Sequence, residues 1–316
     1  MCDSDWSSDV CSSDLSAVGQ VGSADIVVND AADSGVTGCE AGDPVDATTV
    51  QGGIVAAAAS QTVFVCPGTY TENIAVNKSI TLQGANVGTA GNGTRVAESI
   101  IKAANDAFPV VAVQADGVTL DGFRIDAATG GGAQSNVGVL IGDGSEGQNN
   151  VTVQNTIVEN IPTATIVSGT LTGGILGVAE TTPVTGNTIA SNLLQNFDPY
   201  SRSGGLQSAN AGIGLGGLFQ SSVTDNVTDN VAFGIWLIAQ ATGSQTISGG
   251  SHTGNHRGIV VYPPAVNMTY TFENMSFDGN AEYGITIFRS SAAAGATGGD
   301  VNATVTAARN NLTIQN

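Results

Sequence analysis

The sequence predicts an all-β solenoid. Three observations lead there: a phrase that recurs through the second half of the chain, period-two alternation inside each copy, and no amphipathic helical stretch in any copy. The copies open "VGVLIGDG", "GGILGVAE", "AGIGLGGL", "FGIWLIAQ", "RGIVVYPP" and "YGITIFRS", anchored on Gly138, Gly174, Gly212, Gly234, Gly258 and Gly284. The last three intervals are 22, 24 and 26 residues, the length of one solenoid turn, and longer loops stretch the first two. Alternation such as Ile235, Leu237 and Ile259, Val261 and Ile285, Ile287 assigns strand and sets an inward face. A repeat made only of short strands cannot bury that face alone, so the copies must stack on a shared core. Each copy ends in asparagines. Asn155, Asn187, Asn226 and Asn274 are expected to match, as are Asn160, Asn192, Asn230, Asn255 and Asn280, because Asn tolerates left-handed bends and stacked amides form ladders. Gly250 fills one such place, keeping the bend and breaking the ladder.

Composition supports a folded chain and removes several function classes. Of 316 residues 41% are hydrophobic, but only 11% are charged and 5% aromatic. The net charge is −19, from 27 acids against 8 bases, so no basic groove exists for nucleic acid. No apolar run reaches the length of a membrane span. Cys39 and Cys66 flank one short segment and suggest a disulfide in an oxidising compartment, the alternative being two buried thiols.

Cys2 and Cys11 lie in the opening string "MCDSDWSSDVCSSDL", which has neither the basic start nor the apolar run of a secretory leader. Back-translation of Asp5 to Leu15 gives a string that resembles a common short-read sequencing adapter. Residues 1–15 are therefore expected to be a disordered, non-native leader and the chain a metagenomic fragment. Residues 16–60 are expected to be an N-terminal region with a capping helix, and 61–316 a β-helix truncated at its C-terminus.

The segment Val63 to Thr89, "VFVCPGTYTENIAVNKSITLQGANVGT", resembles the first coil of right-handed parallel β-helix proteins of the pectin-lyase-like superfamily. Gly68, Thr69, Tyr70, Glu72, Lys78, Ile80, Leu82 and Gly84 carry the likeness. It implies that fold, with "DATTVQGGIVAAAAS" as the short N-terminal helix capping the solenoid. In that helix Asp46 should accept the first-turn N–H groups, and Val50, Ile54 and Val55 should lie over the core.

The resemblance also implies carbohydrate chemistry in principle, but the catalytic signatures of polygalacturonases, pectin methylesterases and pectate lyases are absent from the sequence. No catalytic residue is named, and whether the chain is an enzyme (a polysaccharide lyase or glycoside hydrolase, if one) stays open. Asp225, Asp229, Glu273 and Asp278, near the bends, supply carboxylates of the kind glycoside hydrolysis needs in pairs, although solvated acids belong at bends too. His252, His256, Arg257, Met268 and Met275 lack fixed metal-ligand spacing, so neither a metal nor a cofactor is expected.

The stronger lead is an outward stripe. If Ile235, Ile259 and Ile285 point in, then Trp236, Ile238, Val260, Tyr262, Thr286 and Phe288 point out, with Phe233, Arg257 and Tyr283 before the anchoring glycines. Phe233, Trp236, Arg257, Tyr262, Tyr283 and Phe288 are thus the expected ligand-binding residues, with Arg257 suited to a uronate carboxylate. The sequence reads as an extracellular or cell-surface β-helix that binds polysaccharide, of acidic type if Arg257 is used, along this lateral sheet. The alternative is a noncatalytic adhesion scaffold whose apolar stripe meets a protein partner.

Overall fold

In the structure, a computed structural model, residues 26–30, 39, 45–106, 109–129, 136–161, 172–197, 210–238, 243–261 and 268–287 are described. The leader 1–15 and the tail 288–316 lie outside them. Short apolar and Thr-rich runs separated by Gly and Asn form strands of a few residues, each ending where the chain must turn a corner. After β1 (Ile26–Val28) and α1 (Val50–Ala56), the first coil runs β2 (Thr62–Val65), β3 (Gly68–Thr71) and β4 (Ile74–Val76). The second has β5 (Thr81–Gln83), β6 (Ser99–Lys102) and β7 (Val111–Val113), and the third β8 (Thr119–Asp121), β9 (Arg124–Asp126) and β10 (Val137–Ile141). β11 (Thr152–Gln154), β12 (Ile157–Glu159) and the start of β13 (Gly173–Ala190) make the fourth. The end of β13, β14 (Leu193–Gln195) and the start of β15 (Ala211–Thr224) make the fifth; the end of β15, β16 (Val227–Asp229) and β17 (Phe233–Ile238) make the sixth. β18 (Gly243–Ser248), β19 (Ser251–Thr253) and β20 (Arg257–Val261) form the seventh. The eighth has β21 (Met268–Glu273), a bridge at Ser276, and β22 (Tyr283–Ile287).

All strand pairs are parallel and join each coil to the next, which makes the fold a right-handed parallel β-helix with three faces. Face one stacks β1, β2, β5, β8, β11, the ends of β13 and β15, β18 and β21. Face two is the seven-stranded sheet from β3 to β19. Face three stacks β4, β7, β10, the starts of β13 and β15, β17, β20 and β22. Inward residues align in columns, as in Val63, Leu82, Leu120, Val153, Ile189, Val223, Ile247 and Phe272 of face one, each at most 1% exposed. Ile74, Val111, Val139, Ile175, Ile213, Ile235 and Ile259 form the matching column of face three. These columns are one continuous core. Ile287, on the last described rung, departs from the inward expectation and is 40% exposed.

The anchoring glycines stand in one column on face three. A Cβ on Gly138 would lie 2.7 Å from the Gly174 carbonyl oxygen, and one on Gly174 2.7 Å from that of Gly212. The series continues at 2.5 Å from Gly212 to Gly234, 2.5 Å from Gly234 to Gly258 and 2.4 Å from Gly258 to Gly284. The repeat therefore keeps glycine because adjacent coils approach too closely for any side chain.

The asparagines divide differently from the sequence grouping. Asn155 and Asn274 take left-handed backbone at the corner between faces one and two, and Asn160, Asn196 and Asn230 do so at the next corner. The amide ladders are formed by asparagines that follow other left-handed residues, Ser191, Asp225, Gly254 and Gly279. Asn192 donates from its backbone and side chain to Asn226 Oδ1, and Asn255 donates its backbone N–H to Asn280 Oδ1. Gly250 sits over Asn226 and breaks that ladder, as expected. Asn187 belongs to neither corner: it lies within β13 and accepts from Val151 N.

The first-coil motif holds the cap. Glu72 accepts from Val50 N at 2.7 Å and Gln51 N at 3.0 Å at the start of α1, while Lys78 Nζ donates to the Ile54, Val55 and Ala57 carbonyls at its end. A carboxylate at the N-terminus and an ammonium at the C-terminus match the helix dipole and fill its orphan groups. Two details correct the sequence reading. The N-cap is Thr49, whose hydroxyl accepts from Gly52 N, whereas Asp46 instead accepts from Val27 N. Val50 and Ile54 are buried, but Val55 is 67% exposed, because seven residues give two helical turns and only one side meets the core. Cys39 and Cys66 form a disulfide, both sulfurs buried against Phe64.

On face two the inward column Ile125, Val158, Leu194, Thr228, His252 turns polar. His252 is fully buried, its Nδ1 meets Thr228 Oγ1 at 3.0 Å, and its Nε2 has no partner. Burial pulls its pKa from 6.5 down to about 4. Above pH 6.5 neither the folded nor the unfolded chain is protonated there. As pH falls from 6.5 towards 4, only the unfolded chain takes up the proton, and stability drops by roughly 3 kcal/mol over the window. Urea unfolding at pH 7 and pH 5 should show about 2 kcal/mol of that drop in the wild type and much less in His252→Leu. An equal drop in both would remove His252 as its cause.

Candidate functional site

The stripe expected on face three is largely closed upon itself. Phe233, Arg257 and Tyr283 stand in register on adjacent coils. The Arg257 guanidinium lies 5.7 Å from the Phe233 ring centre and 5.8 Å from that of Tyr283, and it also pairs with Glu282 at 2.6 Å. Trp236 is half-buried and packs edge-on against Phe233 at 5.6 Å, and Val260, Ala232 and Phe233 are buried beside it. Phe233 is 1% exposed, so it offers no stacking face, and Arg257 already has its carboxylate partner. Tyr283 is 43% exposed; Tyr262 and Phe288 lie outside the described residues. Among the described residues, alternation carried no information on what lies over Phe233, Trp236 and Val260.

The acids named from the sequence do not converge either. Asp225, Asp229 and Asp278 are exposed at corners, Asp225 with left-handed backbone. Adjacent-coil carboxylates do meet on face two, in a group the sequence reading missed: Asp126 and Glu159 occupy paired positions in β9 and β12. Both are committed internally. Glu159 is 4% exposed and takes Arg124 Nε at 2.7 Å and Gln195 Nε2 at 3.1 Å; Asp126 takes Asn160 Nδ2 at 2.8 Å and faces Lys102 Nζ at 3.7 Å. The Arg257 and histidine cluster divides likewise: His252 is inside the core and His256 pairs with Glu282 at 3.3 Å. Among the described residues no three His, Cys, Asp or Glu gather into a metal-binding group.

Face one carries the open polar surface. Its first outward column is Thr62, Thr81, Thr119, Thr152, Thr188, Ser222, Thr246 and Thr271, eight hydroxyls in unbroken register. Between coils five and seven this column borders a groove of about 480 Å³. Thr185, Gly186, Asn187 and Thr188 of β13, Gln220, Ser221 and Ser222 of β15, and Ser244 and Thr246 of β18 line it, with no charged or aromatic side chain.

The local sequence explains the opening. Between Ala179 and Val184, β13 carries three residues more than the facing stretch of β15, and a further register shift follows between Val184 and Asn187. The bulged residues 180–183 are exposed at the upper edge. At the same corner the inward column, apolar at Val118 and Val151, becomes Asn187, Ser221, Gln245 and Tyr270. Gln245 is fully buried and bonded to the Ser221 backbone, and burial raises the Tyr270 hydroxyl to about 12. Ser221 Oγ and Tyr270 Oη are buried without hydrogen-bond partners. The signal for this face was in the sequence, as the Thr three residues before each corner residue in "VTVQN", "NTIAS" and "QTISG".

The architecture defines a right-handed parallel β-helix. Among solved structures, two forms of a pectin methylesterase from Aspergillus niger are each 13% identical, with 87% of this chain and 93% of that chain covered at a TM-score of 0.41. A pectin methylesterase from carrot is 13% identical, covering 86% of this chain and 90% of that one at a TM-score of 0.37. No protein-family model and no curated protein matches the chain.

Proposed function

We propose that this protein is an extracellular parallel β-helix that binds polysaccharide on face one, not on the aromatic stripe of face three. The observation that carries the reading is the groove between coils five and seven, an open surface of hydroxyls and amides with no competing charge. A sugar chain is recognised by such groups through hydrogen bonds. The Cys39–Cys66 disulfide suits an oxidising compartment. The reading contains no catalytic step, since the adjacent carboxylates Asp126 and Glu159 are each held in internal bonds. Purified protein mixed with insoluble cellulose, xylan, mannan and calcium pectate should sediment with at least one of them. Protein left wholly in the supernatant of all four would contradict polysaccharide binding.

A further inference from the structure

We infer that the groove takes an uncharged, extended glycan laid along the solenoid axis, and that it rejects polyuronates; this deepens the polysaccharide reading and rests on it. The first argument is charge. The chain carries a net charge of −19, and each lysine and arginine among the described residues already holds an internal acceptor. Lys78 caps α1, Arg95 binds Glu98, Lys102 faces Asp126, Arg124 binds Glu159 and Arg257 binds Glu282. None of these side chains lines the groove, so among the described residues a uronate carboxylate entering it would meet only neutral groups, inside a strongly negative protein.

The second argument is spacing. Parallel strands lie about 4.8 Å apart, so the eight in-register hydroxyls of face one form a straight ladder roughly 34 Å long. A ligand that repeats its own hydroxyls at a similar interval can meet successive rungs at once. An extended pyranose chain does so, whereas a single sugar or a tightly coiled chain reaches few of them. The third argument is the neutrality of the lining, which consists of Thr, Ser, Asn, Gln and Gly. A neutral hydroxyl donates or accepts there without bringing a charge into a site that has no counter-charge. With no aromatic platform in the lining, affinity depends on the number of rungs engaged, and binding should strengthen with chain length.

Isothermal titration of the whole chain with xylohexaose, cellohexaose, the corresponding dimers and hexagalacturonate tests the inference. The expected result is binding of a neutral hexamer, at least about tenfold weaker binding of its dimer, and none of hexagalacturonate at 50 or 300 mM salt. The triple variant Thr188→Val, Ser222→Ala, Thr246→Val removes three rung hydroxyls; with an unchanged melting temperature it should bind the neutral hexamer about tenfold more weakly or worse. Hexagalacturonate binding as tightly as a neutral hexamer would overturn the neutral-ligand inference while leaving polysaccharide binding intact. Neutral binding unaffected in the triple variant would overturn the ladder as its site. Absence of binding to every oligomer, together with no sedimentation on any polysaccharide, would overturn the parent reading as well.

Discussion

Gly234→Ala is expected to destabilise the protein by about 3 kcal/mol or more. The added Cβ would lie 2.5 Å from the Gly258 carbonyl oxygen, 2.6 Å from Thr228 Oγ1 and 3.2 Å from Asn255 Nδ2. None of the three can yield cheaply. The carbonyl belongs to the backbone of the next coil, while Thr228 Oγ1 bonds both His252 Nδ1 at 3.0 Å and Asn255 Nδ2 at 2.9 Å in the core. Relief requires the coils to separate, breaking the β17–β20 ladder. Gly216→Ala is the matched control, because its Cβ would meet nothing nearer than Val178 Cγ2 at 3.4 Å and its backbone is not left-handed. Thermal melts should show a fall of several degrees for Gly234→Ala and almost none for Gly216→Ala. Equal shifts in the two would mean that the glycine column does not set the coil spacing.

Loss of the disulfide, by Cys39→Ala with Cys66→Ala, is expected to cost about 3.5 kcal/mol on the loop-entropy account for a sequence separation of 27. The loss should be local. A solenoid is stabilised repeat by repeat through nearest-neighbour contacts, and this bridge ties the segment before α1 to the first coil. Cys66 leads directly into β3, and its carbonyl accepts the buried Tyr70 hydroxyl at 3.1 Å, so loosening it also loosens the Glu72 and Lys78 clamp on the cap. Hydrogen exchange on the double variant should show faster exchange in β2, β3 and α1 and unchanged protection in β15 to β20. Uniformly faster exchange throughout would show that the coils unfold as one unit.

Much of this architecture was readable because the solenoid repeats one local requirement many times. The glycines at 138, 174, 212, 234, 258 and 284 stand out since each meets the same steric limit. The cap was legible in "DATTVQGGIVAAAAS", though its boundary was not: Asp46 and Thr49 are both competent N-caps, and only the tertiary contact with Val27 decides between them. The asparagines were misgrouped for a related reason. One corner has two successive positions that suit Asn, a left-handed residue such as Asn155 and the buried residue after it such as Asn226, so the two read alike while performing different tasks. The candidate site was hardest to read. Phe233 and Arg257 carry the residue types of a sugar site, but their partners, Trp236, Tyr283 and Glu282, come from within the same stack. Thr188, Ser222 and Thr246 look like ordinary strand residues until register brings them into one column.

The most direct test of that column is affinity electrophoresis through gels containing a soluble neutral β-glucan or xylan. The wild type should be retarded relative to its mobility in a plain gel, and Thr188→Val, Ser222→Ala, Thr246→Val should regain the unretarded mobility. Identical retardation of the two proteins, or retardation by polygalacturonate alone, would contradict a neutral glycan site on face one.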